Sequence, residues 1–274
     1  MTTTSQATPT YVTSADATLI AVFRSGHGRP LVLAPGTSAD HTSWRFVGPL
    51  LEQHVEWHAV DRRGRGASGD AAAYSLSREH EDLAAVVDAA AARWGGPVDV
   101  VGHSYGGNVA FGAALLTANI RRLALYEGWP MPDAADRSTA PETLARLEQL
   151  IAAGRRSEAM EAFFRDLVHY NDEELAIVKA APTWASRVAS AHTVPREIRA
   201  FGEQALDPEQ AARIGVPVLL LVGAESPEVI QGKPARVAAA LPDARIVELP
   251  GQGHMANLTA PDLLAAVLWE FLDE

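Results

Sequence analysis

Eight short apolar runs, rich in β-branched residues, alternate along the chain with longer stretches rich in alanine and leucine. The runs predict strands at 11–13, 18–23, 30–33, 56–60, 98–101, 120–126, 216–222 and 245–249. The longer stretches predict helices at 44–54, from an N-cap at Ser77 to 94, and at 108–118, 234–241 and 261–272. Several of the runs are apolar at consecutive positions, which is typical of parallel strands buried on both faces. The pattern therefore predicts an α/β fold, with a mostly parallel central sheet and helices on both faces.

The interval 128–212 breaks this alternation. It has helical periodicity at 142–152, 158–170 and 172–180, and it lacks a convincing strand. We interpret it as a helical cap inserted after the sixth strand, which leaves 1–127 and 213–274 as the core domain. Such a cap would lie over the carboxyl ends of the strands, where open α/β sheets bind their ligands.

The amino-acid composition limits which catalytic groups and metal ligands the chain can supply. The chain has 274 residues, 47% of them hydrophobic and 21% charged, which is typical of a globular protein. It has no cysteine, so disulfides, thiolate catalysis and cysteine-ligated metals are excluded. A covalent nucleophile would therefore have to be Ser, Thr, Asp, Glu or Lys.

The net charge and the N-terminal sequence indicate which partners and which cellular location to expect. The formal net charge is −11, which argues against a nucleic-acid partner. We interpret the cluster of Arg62, Arg63 and Arg65 as part of a loop held to the scaffold. The first ten residues lack the basic and apolar segments of a signal peptide, and no apolar window is long enough to span a membrane. We expect a cytoplasmic protein with a small-molecule substrate, and the oligomeric state stays open.

The most specific motif is Gly-x-Ser-x-Gly at 102–106, with Ser104 at its centre. The motif lies between a valine-rich predicted strand and an alanine-rich predicted helix. A sharp strand–serine–helix turn needs glycine two residues to either side of the serine, because Cβ atoms there would collide. Such a turn lifts the hydroxyl above the sheet and aims the helix N-terminus at it. Ser104 is therefore the candidate nucleophile.

With this motif the chain resembles an α/β-hydrolase over nearly all its length, least well in the interval 128–212. Residues 31–37 (LVLAPGT) resemble the family's His-Gly turn after the third strand, with Pro35 in place of the usual histidine. Residues 61–69 (DRRGRGASG) resemble its Asp-x-x-Gly-x-Gly-x-Ser loop. Residues 251–254 (GQGH) resemble the loop that carries the catalytic base.

The resemblance implies site residues at matching positions. His254 matches the base, and the backbone N–H groups of Thr37 and Tyr105 match the oxyanion hole. The family's acid usually follows the seventh strand in Gly-x-x-Asp, where this chain has Ser226. We take Glu225, one residue earlier, as the expected acid. Glu127, after the sixth strand, is the alternative, since some relatives place the acid there.

The function that follows is a serine hydrolase that cleaves an ester or related acyl compound through an acyl-enzyme intermediate. Neither a cofactor nor a metal is implied. The same fold also hosts C–C hydrolases, perhydrolases or haloperoxidases, and biosynthetic lyases or cyclases, and these form the alternative. The displaced acid and the missing turn histidine keep that alternative open.

Overall fold

The computed structural model describes residues 8–132 and 139–274. One eight-stranded sheet runs through the protein in the order β1-β2-β4-β3-β5-β6-β7-β8. The strands are β1 (Thr10–Thr13), β2 (Leu19–Gly26), β3 (Arg29–Ala34), β4 (Val55–Val60), β5 (Val98–His103), β6 (Ile120–Tyr126), β7 (Val218–Gly223) and β8 (Ala244–Leu249). β1 pairs with β2, and β2 with β4, antiparallel, and all other pairs are parallel. The predicted α/β fold with a mostly parallel sheet is confirmed.

Helices cover both faces of this sheet. They are α1 (Gly48–Leu51), α2 (Leu76–Trp94), α3 (Tyr105–Ala113), α4 (Pro141–Ala152), α5 (Arg156–Asp166), α6 (Asp172–Ala180), α7 (Trp184–Ala189), α8 (Val194–Glu203), α9 (Pro208–Ala211), α10 (Glu228–Gln231), α11 (Pro234–Ala238), α12 (Ala256–Thr259) and α13 (Pro261–Asp273). One buried apolar cluster joins the sheet to α2, α3 and α11, and a second joins the opposite face to α1 and α13. In the described part of the chain, no helix is long and apolar enough to cross a membrane.

Several predicted helices have wrong boundaries, and for two of them the structure shows the cause. The helix expected at 44–54 is divided into a 3-10 turn, His41–Trp44, and the short α1. Pro49 has no N–H to donate to the preceding turn, so a continuous helix cannot pass through it. α2 begins after Ser75 rather than Ser77, because the Ser75 hydroxyl accepts the N–H of Arg78 at 3.2 Å.

The helices α4 to α9 lie between β6 and β7, and α4 to α8 share an apolar cluster of their own. That cluster includes Leu147, Met160, Phe163, Phe164, Leu175 and Val178. These helices agree with the helical periodicity of the interval, and the described residues there contribute only an isolated bridge, Met131–Ala205, to β structure. The predicted boundaries of 128–212 stay a prediction, and 133–138 lie outside the described residues.

The sheet order brings four strand ends together at one edge. His103 of β5 is level with Tyr126 of β6, and Tyr126 is level with Leu221 of β7. Gly223, two residues further along β7, is level with Leu249 of β8. Residues that directly follow these strands therefore meet above the carboxyl edge of the sheet, which is where parallel sheets build their sites.

One core contact makes stability depend on pH. The imidazole of His80 packs against Gly112, where an added Cβ would lie 2.3 Å from the ring. Burial lowers the pKa of His80 from 6.5 to about 4, outweighing the attraction of Glu79 and Glu81. The folded protein therefore keeps this histidine neutral at pH values where the unfolded chain takes up a proton.

We expect the free energy of unfolding to fall as the pH falls from 6.5 toward 4. Between these pH values, His80 alone should change the free energy of unfolding by about 1.4 kcal/mol per pH unit. Urea unfolding across this range measures the slope, and His80→Gln should reduce it by about that amount. His27→Gln provides the matched control, because this histidine has an exposed side chain in the folded protein. An unchanged slope in His80→Gln would contradict this assignment.

Candidate active site

Ser104 occupies a strained turn between β5 and α3. Its backbone has φ 55° and ψ −129°, a conformation that non-glycine residues rarely adopt. A Cβ on Gly102 would lie 2.5 Å from the carbonyl oxygen of Gly106, and a Cβ on Gly106 would lie 2.3 Å from that of Ala34. Both glycines are therefore required by the turn, as the motif predicts. The N–H of Ser104 donates to the carbonyl of Tyr126 at 2.8 Å, which ties the turn to β6.

The serine faces a cavity of about 380 Å³ at the edge where the strand ends meet. Thr37, Tyr105 and His254 line the same cavity. Its remaining wall is largely apolar and includes Trp129, Met131, Phe163, Leu167, Ile198 and Phe201. Four of the five residues that the sequence predicts for the site thus share one pocket.

The carboxylate that contacts His254 belongs to Glu127. The distance from His254 Nδ1 to Glu127 Oε2 is 2.6 Å. Glu127 Oε1 accepts the N–H of Gly223 at 2.7 Å and the hydroxyl of Ser226. Burial raises the pKa of Glu127. The hydrogen bond and charge of His254, together with the hydrogen bonds from Ser226 and Gly223, outweigh burial and lower this pKa overall. Glu127 therefore stays ionised at neutral pH and is 7% exposed.

Glu225, the expected acid, does not take part in this arrangement. Its side chain is exposed, and among the described residues no hydrogen bond joins its carboxylate to His254. The turn after β7 closes with Ser226 N–H donating to Gly223 O at 3.1 Å, which puts Ser226 on the buried side and Glu225 toward solvent. The expectation for Glu225 is therefore corrected: the alternative, Glu127, makes the contact.

Two aromatic side chains hold the loop that carries His254. His103 Nε2 donates to the carbonyl of His254 at 2.8 Å, and its ring stacks on Tyr126 with a centroid distance of 4.9 Å. The Tyr126 hydroxyl donates to the carbonyl of Gly253 and accepts the N–H of Ala256 at 3.0 Å. Tyr126 was not singled out in the sequence, and its only signal is its place at the end of a buried strand.

The two predicted oxyanion donors, Thr37 and Tyr105, belong to segments that lie next to Ser104. Tyr105 is the first residue of α3, so its N–H has no partner within the helix. Thr37 follows Gly36, where an added Cβ would lie 2.9 Å from the Cβ of Ser104. The turn at Gly36 thus passes directly against Ser104. Two backbone N–H groups aimed at one point can stabilise negative charge that develops there.

One group of possible metal ligands occurs in the described part of the chain: Asp40, His41 and Asp61. Asp61 Oδ1 accepts the backbone N–H of His41 at 2.8 Å. The same oxygen lies 2.7 Å from Nδ1 of the His41 ring. Asp61 Oδ2 accepts the N–H of Ala67 at 2.8 Å. These bonds join the loop after β4 to the segment after β3, and we assign the group this structural role.

Comparison with known proteins agrees with the fold. Residues 31–267 match the alpha/beta hydrolase family. The crystal structure of an alpha/beta hydrolase from Sphaerobacter thermophilus has a TM-score of 0.83 and 36% sequence identity, covering 96% of this chain and 100% of that one. The putative carbamate hydrolase RutD of Azorhizobium caulinodans is 27% identical over 266 residues, 91% of this chain and 93% of the relative. The N-formylmaleamate deformylase of Pseudomonas putida is 28% identical over 257 residues, 90% of each chain. The chain is an enzyme and belongs to the alpha/beta hydrolase family.

Proposed function

We propose that this enzyme is a serine hydrolase that cleaves an ester or related acyl compound of small size through an acyl-enzyme intermediate. Ser104 is the nucleophile, His254 carries the proton and Glu127 orients His254. The observation that carries the proposal is the 2.6 Å contact between His254 and Glu127 beside the cavity that holds Ser104. A serine hydroxyl needs such a base, because it is a weak nucleophile at neutral pH.

In the first half-reaction, Ser104 Oγ attacks the substrate carbonyl while His254 Nε2 takes the hydroxyl proton. The Nδ1–H of His254 donates to Glu127, which selects the tautomer with Nε2 free and stabilises the imidazolium that forms. The negative charge on the carbonyl oxygen is bound by the N–H groups of Thr37 and Tyr105. His254 then gives its proton to the leaving group, and the acyl group stays on Ser104.

The second half-reaction uses the same groups. A water molecule replaces the leaving group, His254 removes its proton, and the hydroxide attacks the acyl carbonyl. The carboxylic acid leaves, and the proton returns from His254 to Ser104. Every proton removed is given back within the cycle, so no further reactant is required.

The second candidate is hydrolysis of an acyl C–N bond. Two relatives, at 27% and 28% identity, are named as a putative carbamate hydrolase and a deformylase. Cleaving a C–N bond places a stricter demand on His254, because an amine leaves only after it has been protonated. The contact between His254 and Glu127 serves both candidates, because in each of them the leaving group takes its proton from His254.

A fluorophosphonate probe tests this proposal. We expect the probe to label wild-type protein at Ser104 and to leave Ser104→Ala unlabelled. A panel of p-nitrophenyl esters of increasing chain length, with matched carbamates and formamides, then separates the two candidates. Labelling at a different serine would contradict the assigned nucleophile. A labelled enzyme that turns over no member of the panel would favour the other chemistries of the fold.

A further inference from the structure

The turn that carries Thr37 is held by an arginine from another loop. Position 35 is proline, so the histidine usual in such turns is absent. Instead, the guanidinium of Arg62 donates from Nε to the carbonyl of Pro35 and from Nη2 to the carbonyl of Gly36, each at 2.9 Å. Arg62 follows β4, the strand that pairs with β3, and this pairing brings its side chain to the turn.

The bond to Gly36 has a direct consequence for Thr37. The carbonyl of Gly36 and the N–H of Thr37 belong to the same peptide unit, which is planar. No cis peptide bond occurs among the described residues, so the carbonyl and the N–H point in opposite directions. A donor that fixes the carbonyl therefore fixes the direction of the N–H. A positive charge on the carbonyl side also polarises the unit and strengthens the N–H as a donor.

Arg62 also contacts the other half of the proposed oxyanion hole. Its guanidinium carbon lies 4.8 Å from the ring centroid of Tyr105, the residue that supplies the second N–H. The Tyr105 hydroxyl is 2.8 Å from the hydroxyl of Tyr74, which donates to Glu79 at 2.7 Å. One side chain therefore touches both segments that carry the two donors.

All five N–H groups of Arg62 have acceptors. Nη1 donates to both carboxylate oxygens of Glu79 at 2.8 Å, and Nη2 donates to Glu197 of α8 at 3.1 Å. Burial lowers the pKa of Arg62, but the carboxylates of Glu197 and Glu79 outweigh burial and raise it overall. The guanidinium therefore stays charged although its side chain is only 2% exposed. A lysine has three donors on one atom and cannot reproduce this set of contacts.

We propose that Arg62 is the positioning residue of the oxyanion hole, holding the Gly36–Thr37 peptide unit and the Tyr105 side chain in the place of the missing turn histidine. This inference rests on the proposed function. Through its contact with Glu197, Arg62 also connects the Gly36–Thr37 turn to α8, one of the helices between β6 and β7.

The chain offers a matched control in Arg63. Its side chain is also fully buried, and it pairs with Asp82 at 2.6 Å and with Asp16 at 2.9 Å, away from the turn. Arg62→Met removes the cation that pairs with the buried Glu79, and Arg63→Met removes the cation that pairs with the buried Asp82, so both should lower the melting temperature. Only Arg62→Met should lower kcat, by about 10²- to 10³-fold, with KM changed less than about threefold. Arg63→Met should keep kcat within about threefold of wild type.

A second readout separates positioning from general loss of structure. A trifluoromethyl ketone forms an oxyanion on Ser104, whereas the matching methyl ketone mainly occupies the pocket. Arg62→Met should weaken binding of the trifluoromethyl ketone by about 10²-fold and that of the methyl ketone by less than about threefold. If Arg62→Met fails to fold, Arg62→Lys keeps the charge for the two glutamates and should still lose kcat.

The inference would be overturned if a folded Arg62 variant kept wild-type kcat and wild-type affinity for the trifluoromethyl ketone. Equal losses of kcat in the Arg62 and Arg63 variants would also overturn it. The proposed function has its own test, because Ser104→Ala must lower kcat by about 10⁴-fold or more. Wild-type turnover in Ser104→Ala refutes the function itself, whereas a loss of that size in Ser104→Ala with a fully active Arg62 variant refutes only the role of Arg62.

Discussion

Ser104→Ala is expected to lower kcat by roughly 10⁴- to 10⁶-fold, because it removes the only atom that forms the acyl-enzyme bond. Binding in the cavity and the two backbone donors remain, so a residual rate above the uncatalysed reaction should persist. Alanine keeps the Cβ that the φ 55° backbone already accommodates at this position. The melting temperature should therefore stay close to that of wild type. Initial rates on the best substrate of the panel, with thermal unfolding alongside, measure both effects.

Ser77→Ala is the matched control for this result. Ser77 is exposed on α2 and is not its N-cap, so the same chemical change there should leave both kcat and melting temperature unaltered. Wild-type turnover in Ser104→Ala would remove the covalent mechanism. The enzyme would then have to activate water directly at this site.

The second large effect is expected at Glu127. Glu127→Gln should lower kcat by about 10⁴-fold while retaining the fold. A glutamine oxygen can still accept the N–H of Gly223 and the hydroxyl of Ser226, the two partners of Oε1. Its amide group, however, donates toward Nδ1 of His254, which places the imidazole proton on Nε2. The imidazole then cannot take the proton of Ser104.

Glu225→Gln is the control, because this exposed carboxylate lies one residue from the position where the acid was expected. Its kcat should stay within about threefold of wild type. Steady-state kinetics of both variants on the same substrate decide between the two residues. A large loss in Glu225→Gln with full activity in Glu127→Gln would return the role to Glu225.

The strands and the turn at Ser104 could be predicted because their causes are mostly local. Each strand consists of a few consecutive, mostly apolar residues, and all eight predicted strands are present in the sheet. The turn at Ser104 needs glycine at Gly102 because of a collision within the motif itself, with the carbonyl of Gly106, whereas a Cβ on Gly106 would collide with Ala34 of the neighbouring strand β3. Helix ends were predicted less well, because a single hydroxyl or proline moves them, as at Ser75 and Pro49.

The sequence by itself therefore determined the α/β sheet, the serine on its turn and the order in which the site residues occur. Only the tertiary structure decided which carboxylate meets His254. β6 and β7 are neighbours that end at the same edge of the sheet, so chain order alone cannot separate Glu127 from Glu225. The turn after β7 separates them by directing Ser226 inward and Glu225 outward. The contact of Arg62 with Gly36, 26 residues apart, likewise exists only because β3 and β4 pair in the sheet.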